Sequence, residues 1–218
     1  MKKCYNILIM AAVVCCCGCT QNNVADFPIT YFGDGVRFAS GNLVKDSDGC
    51  HFAEEQYILS PTGDDFFTSR EMDSIDIDGW YLPTYNEWTM ILNHSYLKFV
   101  TVCNVYGLLV VPPKWRQPEN INLHNDSVFN YDQWKSMEAN GAAFLPSGGY
   151  MKDSTTVVGR NVYGTYADRI SPYSETRDDI IFTFLMLLGN KPKKDNNPYY
   201  DYEFYAYALQ VRMIQYIN

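Results

Sequence analysis

The chain has 218 residues and a formal net charge of −8; 47% of its residues are hydrophobic, 16% aromatic and only 19% charged. A chain of this length and composition buries a sizeable core and is too aromatic and too sparsely charged to be disordered. The acidic balance argues against a nucleic-acid binder, which needs a basic stripe for phosphates. Fourteen glycines, ten prolines and many Tyr, Phe, Thr and Val argue against a bundle of long helices.

Five of the seven cysteines lie in the first nineteen residues. Lys2 and Lys3 precede the apolar run Ile7–Val14, which is too short to span a bilayer but suits the h-region of a secretory leader. The run ends in Cys15-Cys16-Cys17-Gly18-Cys19 and turns polar at Thr20-Gln21-Asn22-Asn23. A small residue directly before a cysteine is what lipoprotein cleavage needs, and the segment resembles a bacterial lipobox. The expectation is a leader over residues 1–18, Cys19 as the lipidated residue, a polar tether over 19–30 and a single domain over 31–218. Loss of the leader removes two lysines and brings the mature charge to about −10. Electrostatics then opposes contact with anionic lipid, and acyl chains have to hold the protein. Of the cysteines left for the fold, Cys50 and Cys103, sequence leaves two states open: a disulfide or two buried thiols.

Along the body, Val36-Arg37-Phe38-Ala39-Ser40 alternates as a half-buried strand does and stops at Gly41-Asn42. Residues 45–79 read as loop-rich and acidic. After Trp80-Tyr81-Leu82-Pro83, Thr84 and Glu87 form a capping box, and Trp88, Ile91 and Leu92 fall on one helical face. Phe99–Cys103 and Leu108–Val111 read as strands around an Asn104–Gly107 turn. Asn130 and Gln133 open a second helix carrying Trp134 and Met137 inward and stopping at Asn140-Gly141. Phe144–Tyr150 is a short strand broken by turn residues. Ile180–Leu188 is a nine-residue apolar run, read as a buried strand or short helix. In the last segment Tyr207, Leu209, Val211 and Met213 alternate with Ala208, Gln210 and Arg212, as in a terminal strand.

Several of these blocks look familiar together. Val36–Leu43, Trp80-x-Leu82-Pro83-Thr84-x-x-Glu87-Trp88, Gly107–Trp115, Glu138–Tyr150 and Gln210-Val211-Arg212 resemble, in order, segments of the formylglycine-generating-enzyme-like domains of bacterial envelope lipoproteins, the major paralogous domain type. The resemblance covers roughly residues 31–218. It implies an α+β, C-type-lectin-like mixed fold with two helices, short twisted antiparallel sheets, long loops and paired terminal strands. The chain departs from the family at Tyr163–Asp168, which lacks the usual tryptophan and serines.

The chemistry is sparse. Formylglycine-generating enzymes need cysteines late in the domain, and none follows Cys103. His51, His94 and His124 have no ligand spacing. Asp73–Gly79 has oxygen ligands near a glycine but not the spacing of an EF-hand, and Gln117-Pro118-Glu119-Asn120 is similar to a sugar-binding lectin tripeptide without its downstream partner. The densest aromatic stretch is Pro198–Tyr205, where Tyr200, Asp201 and Tyr202 are selected as a binding surface, against the alternative that its tyrosines simply pack a sheet. The resulting expectation is a non-enzymatic, lipid-anchored protein of the envelope of a Gram-negative-type bacterium, in the outer membrane and facing either the periplasm or the surface. It needs no cofactor, contacts the membrane through its amino-terminal lipid and binds a glycan or protein. The alternatives are a divergent, metal-dependent enzyme of the same superfamily or a surface-appendage subunit.

Overall fold

A short polar residue followed three positions later by Glu or Gln opens every helix among the described residues. The computed structural model describes residues 27–28, 35–169, 185–188, 199–200 and 207–217. In chain order its elements are β1 (Phe27–Pro28), β2 (Gly35–Phe38), β3 (Leu43–Asp46), β4 (Gly49–Phe52), β5 (Phe66–Phe67), α1 (Ser69–Met72), α2 (Tyr85–Asn93), β6 (Tyr96–Val102) and β7 (Val105–Val111). They continue with β8 (Ser127–Phe129), α3 (Tyr131–Ala139), β9 (Ala143–Pro146), β10 (Tyr150–Met151), β11 (Val157–Val158), β12 (Tyr163–Tyr166), β13 (Leu185–Leu188), β14 (Tyr199–Tyr200), β15 (Leu209–Gln210) and β16 (Ile214–Ile217). The architecture is α+β. Thr84 and Glu87 cap α2 reciprocally, Asn130 and Gln133 cap α3, and Thr68 with Glu71 caps α1. Each box satisfies backbone N–H groups that a helix start otherwise leaves open. The first two boxes are the expected ones; the third opens a single turn, so the described residues hold three helices where two are expected.

The two long helices flank one sheet. Its strand order is β8-β6-β7-β9. Leu108 and Val110 of β7 join Trp88, Ile91 and Leu92 of α2 in one cluster, whereas Leu109 and Val111 join Trp134 and Met137 of α3 in another. Alternate side chains of a strand point to opposite faces, so the unbroken apolar run Leu108–Val111 is what a sheet covered on both faces demands. The β6–β7 turn is tighter than expected. Cys103 and Asn104 occupy its two central positions with φ of 48° and 68°, the left-handed pair that two-residue hairpins prefer.

The first and last described strands share a sheet. β2 lies between β1 and β16, with Phe27 opposite Val36 and Val36 opposite Tyr216. Phe27 is buried, with its ring edge-on to Phe38 at 5.0 Å, so the folded body begins by Phe27, inside the expected 19–30 tether. A five-stranded sheet runs β14-β13-β12-β15-β5. Two pairings, β6–β8 and β12–β15, are parallel, so the sheets are not wholly antiparallel.

Two regions read from sequence take another form. The loop-rich start of the acidic segment folds as the β3–β4 hairpin, followed by β5 and α1. The alternating terminal segment is buried on both faces from Ala208 to Ile214. Leu209, Val211 and Met213 fill a third core with Leu43 and Phe67, while Gln210 and Arg212 face the interior instead of solvent. Only Leu209–Gln210 and Ile214–Ile217 are strand.

Candidate functional site

The backbone of Tyr200 stands in β14, the outermost strand of the described five-stranded sheet, opposite Met186. Asp201 and Tyr202 lie outside the described residues, as does Cys19. Cys50 and Cys103 are both free thiols. They occupy different hairpins: Cys50 is exposed on β4, and Cys103 sits half-buried in the β6–β7 turn against the α3-side core. The histidines are equally dispersed. His51 pairs with Asp46 of its own hairpin at 3.4 Å, His94 caps α2 with its ring 2.9 Å from Met90 O, and His124 precedes β8. Among the described residues no three His, Cys, Asp or Glu side chains gather as a metal site. In the acidic loop Asp73, Asp76 and Asp78 are exposed, and Asp78-Gly79 makes a turn closed by the Ile77–Trp80 bridge. The Gln117 side chain donates to Ile121 O and closes a local turn.

The polar residues Gln210 and Arg212 of the last segment lie inside. The fully buried Arg212 guanidinium donates to Ala39 O (3.1 Å), Gln56 O (3.4 Å) and Phe144 O (2.7 Å). Burial pulls its pKa down to about 10, so it remains charged at neutral pH. The Gln56 side chain accepts from Phe144 N and donates to Glu138. Glu138 and Glu55 in turn hold Lys135, raising its pKa through hydrogen bonds and ion pairing. These groups join segments far apart in sequence, and their partners are mainly backbone: they act as scaffold.

Asp65 makes a second buried contact. Its Oδ2 accepts from Gln210 Nε2 at 2.9 Å, Arg160 approaches Oδ1 only to 4.0 Å, and Oδ1 and Gln210 Oε1 have no hydrogen-bond donor. Desolvation raises the Asp65 pKa, only partly offset by Arg160 and Gln210. The native state therefore binds this proton more tightly than the unfolded chain does. The stability it contributes is complete below the ordinary aspartate range and is lost as pH rises through the folded pKa. Asp65→Asn is expected to raise the melting temperature relative to wild type at pH 7, with the gap closing as pH falls through the raised folded pKa and gone below about 4. Parallel thermal melts across that range check it, and a gap that widens towards acid would reverse the assignment.

A cluster of exposed tyrosines was not recognised in sequence. The Tyr81 and Tyr216 rings lie 5.3 Å apart, and both are more than two-fifths exposed. The Tyr216 hydroxyl donates to Glu87 Oε1, while Glu87 Oε2 closes the α2 cap with Thr84. That hydrogen bond, with burial, pushes the Tyr216 pKa up to about 12. Tyr85, the first residue of α2, is exposed. Arg37 lies 5.8 Å over the Trp80 ring and donates to Gln215, and Arg169 donates its backbone N–H to Pro83 O. Backbone hydrogen bonds in both directions between Tyr81 and Ile214 fix the loop against β16. The signal was the pair Trp80-Tyr81 itself. Its tryptophan packs on the third core, and the tyrosine beside it is free to face outward.

No protein-family model, curated protein or solved structure matches this chain. Among the described residues no helix is long and apolar enough to cross a membrane.

Proposed function

We propose that this chain is a non-enzymatic, lipid-anchored protein of a bacterial cell envelope, acylated at Cys19. Its folded part is a C-type-lectin-like domain of the formylglycine-generating-enzyme-like type, presenting a ligand-binding surface for a glycan or a protein. The observation that carries this reading is the division of labour among the side chains. The buried polar groups Arg212, Gln56 and Gln210 are committed to holding the fold, and six of the nine large apolar or aromatic side chains exposed among the described residues are tyrosine. Tyrosine combines a broad apolar ring with a polar tip at low entropic cost, which serves recognition better than it serves catalysis. The two capped helices on either face of one sheet, and the first and last described strands brought together on β2, support the lectin-like assignment.

The binding surface is assigned to Tyr200, Asp201 and Tyr202, of which Tyr200 has its backbone in β14, the outermost strand of the described sheet. Purified protein is expected to retain a ligand on a glycan array or in a cross-linking pull-down from envelope extract. Tyr200→Ala and Tyr202→Ala together are expected to abolish that retention without changing the thermal melt. Retention unchanged in the double variant would move the surface elsewhere, and a catalysed conversion of the retained ligand would replace the binding role with an enzymatic one.

A further inference from the structure

Phe27 is buried, and its neighbours Val36 and Phe38 fix it in the sheet. Cys19 precedes it by eight residues. Whatever conformation the intervening chain takes, eight residue steps span at most about 29 Å. An acyl group on Cys19 would therefore hold the β1 end of the domain within about 29 Å of the bilayer.

The surface at that end has a distinct composition. Phe27, Val36 and Tyr216 form one row across β1, β2 and β16, which places Tyr216 about 10 Å from the point where the tether enters. Tyr81 stacks beside Tyr216, and Tyr85 begins the helix whose Glu87 holds the Tyr216 hydroxyl. Arg37 and Arg169 lie at the same end, as do Glu87 and Asp78, whose turn meets Gln215 through Gly79. The paired aromatic rings are the distinctive feature.

We propose that the face formed by Tyr81, Tyr85 and Tyr216 rests on the lipid headgroup layer, a second contact beyond the acyl anchor that fixes which side of the domain points away from the membrane. Tyrosine favours this layer because its ring enters the apolar boundary while its hydroxyl stays in the polar zone. The inference rests on the acylation of Cys19. Because the attraction is aromatic, the contact persists in high salt, unlike one held by a basic patch.

The test uses the full acylated protein in vesicles of phosphatidylethanolamine with a minority of phosphatidylglycerol. A spin label is placed at the exposed Asn86, beside Tyr85, and in a second sample at the exposed Val128 of β8, with Cys50 and Cys103 replaced by serine. Intact mass reports the acyl group independently. The expected result is an acylated chain on the vesicles whose Asn86 label has lost collision with an aqueous nickel chelate while the Val128 label keeps it. Tyr81→Ser with Tyr85→Ser is expected to restore collision at Asn86. An acylated, vesicle-bound protein with both labels equally accessible overturns the docking face and leaves the anchor standing. An unacylated Cys19 overturns the anchor, and the docking face falls with it. Dipolar coupling between Asn86 labels of two copies in the absence of lipid would assign the face to self-association and overturn the proposal.

Discussion

Replacing Arg212 by Met is expected to lower stability by about 3 kcal/mol or more, read as a fall in the urea midpoint with an unchanged m-value. Phe144 stands in β9, an edge of the four-stranded sheet, and its backbone is satisfied by side chains: Gln56 Oε1 accepts from its N–H, and Arg212 donates to its carbonyl. Two side chains thus do the work of an absent neighbouring strand. Met fills a similar volume but leaves the carbonyls of Ala39, Gln56 and Phe144 without this donor, at a cost of about 1–3 kcal/mol for each one left unsatisfied. An opposing effect is real, because removing a buried guanidinium removes its desolvation penalty. Its partners here are backbone groups that the substitution cannot take away, so the loss dominates. Lysine at this position keeps the charge but not the planar fork, and it is expected to recover only part of the midpoint. Equal stability of the Met variant and wild type would show that the guanidinium does not hold this edge.

The elements legible in sequence are those whose determinants are local. Thr84 with Glu87 and Asn130 with Gln133 announce two helices because a capping box is complete within four residues, and the apolar spacing that follows names the buried face. The hairpin of β6 and β7 was visible, but its turn was displaced because a left-handed Cys103 is a poor signal for a residue pair that usually contains glycine. Alternation identified the last segment as extended but could not tell a solvent face from a second interior. Gln210 and Arg212 are inward because Asp65 and three carbonyls from other parts of the chain await them. The same limit applies to the tyrosine face. Tyr81 and Tyr216 are 135 positions apart in sequence, and only the pairing of the loop with β16 joins them. Density of aromatics along the chain pointed instead to Pro198–Tyr205, because linear density is the one aromatic signal that needs no fold.

Gly149→Ala is expected to cost more than 3 kcal/mol, whereas Gly63→Ala is expected to cost about 1. Both glycines are left-handed, with φ of 79° and 88°, so both substitutions carry the backbone strain of an L-residue in that region, about 1 kcal/mol. Their surroundings differ. A Cβ on Gly63 would meet only side-chain atoms of Met151 and Phe66 at 3.8 Å, an ordinary contact. On Gly149 it would lie 2.0 Å from Val158 O and 3.0 Å from Arg160 N. Those are backbone atoms, so the clash is relieved only by moving β11 and the chain leading to β12. Gly149 O also accepts from the buried Thr165 hydroxyl at 2.6 Å, and its bridge to Gly164 aligns that chain with the β12 strand. A shift there propagates to Arg160, whose guanidinium reaches both Ser60 O and Asp65. The Gly149 variant is therefore expected to alter the pH dependence assigned to Asp65, while the Gly63 variant leaves its shape unchanged. Chemical denaturation of both variants at pH 4 and pH 7 separates strain from collision. Equal losses at the two positions would mean that the β10–β11 hairpin yields freely and that Gly149 is required only for its backbone angle.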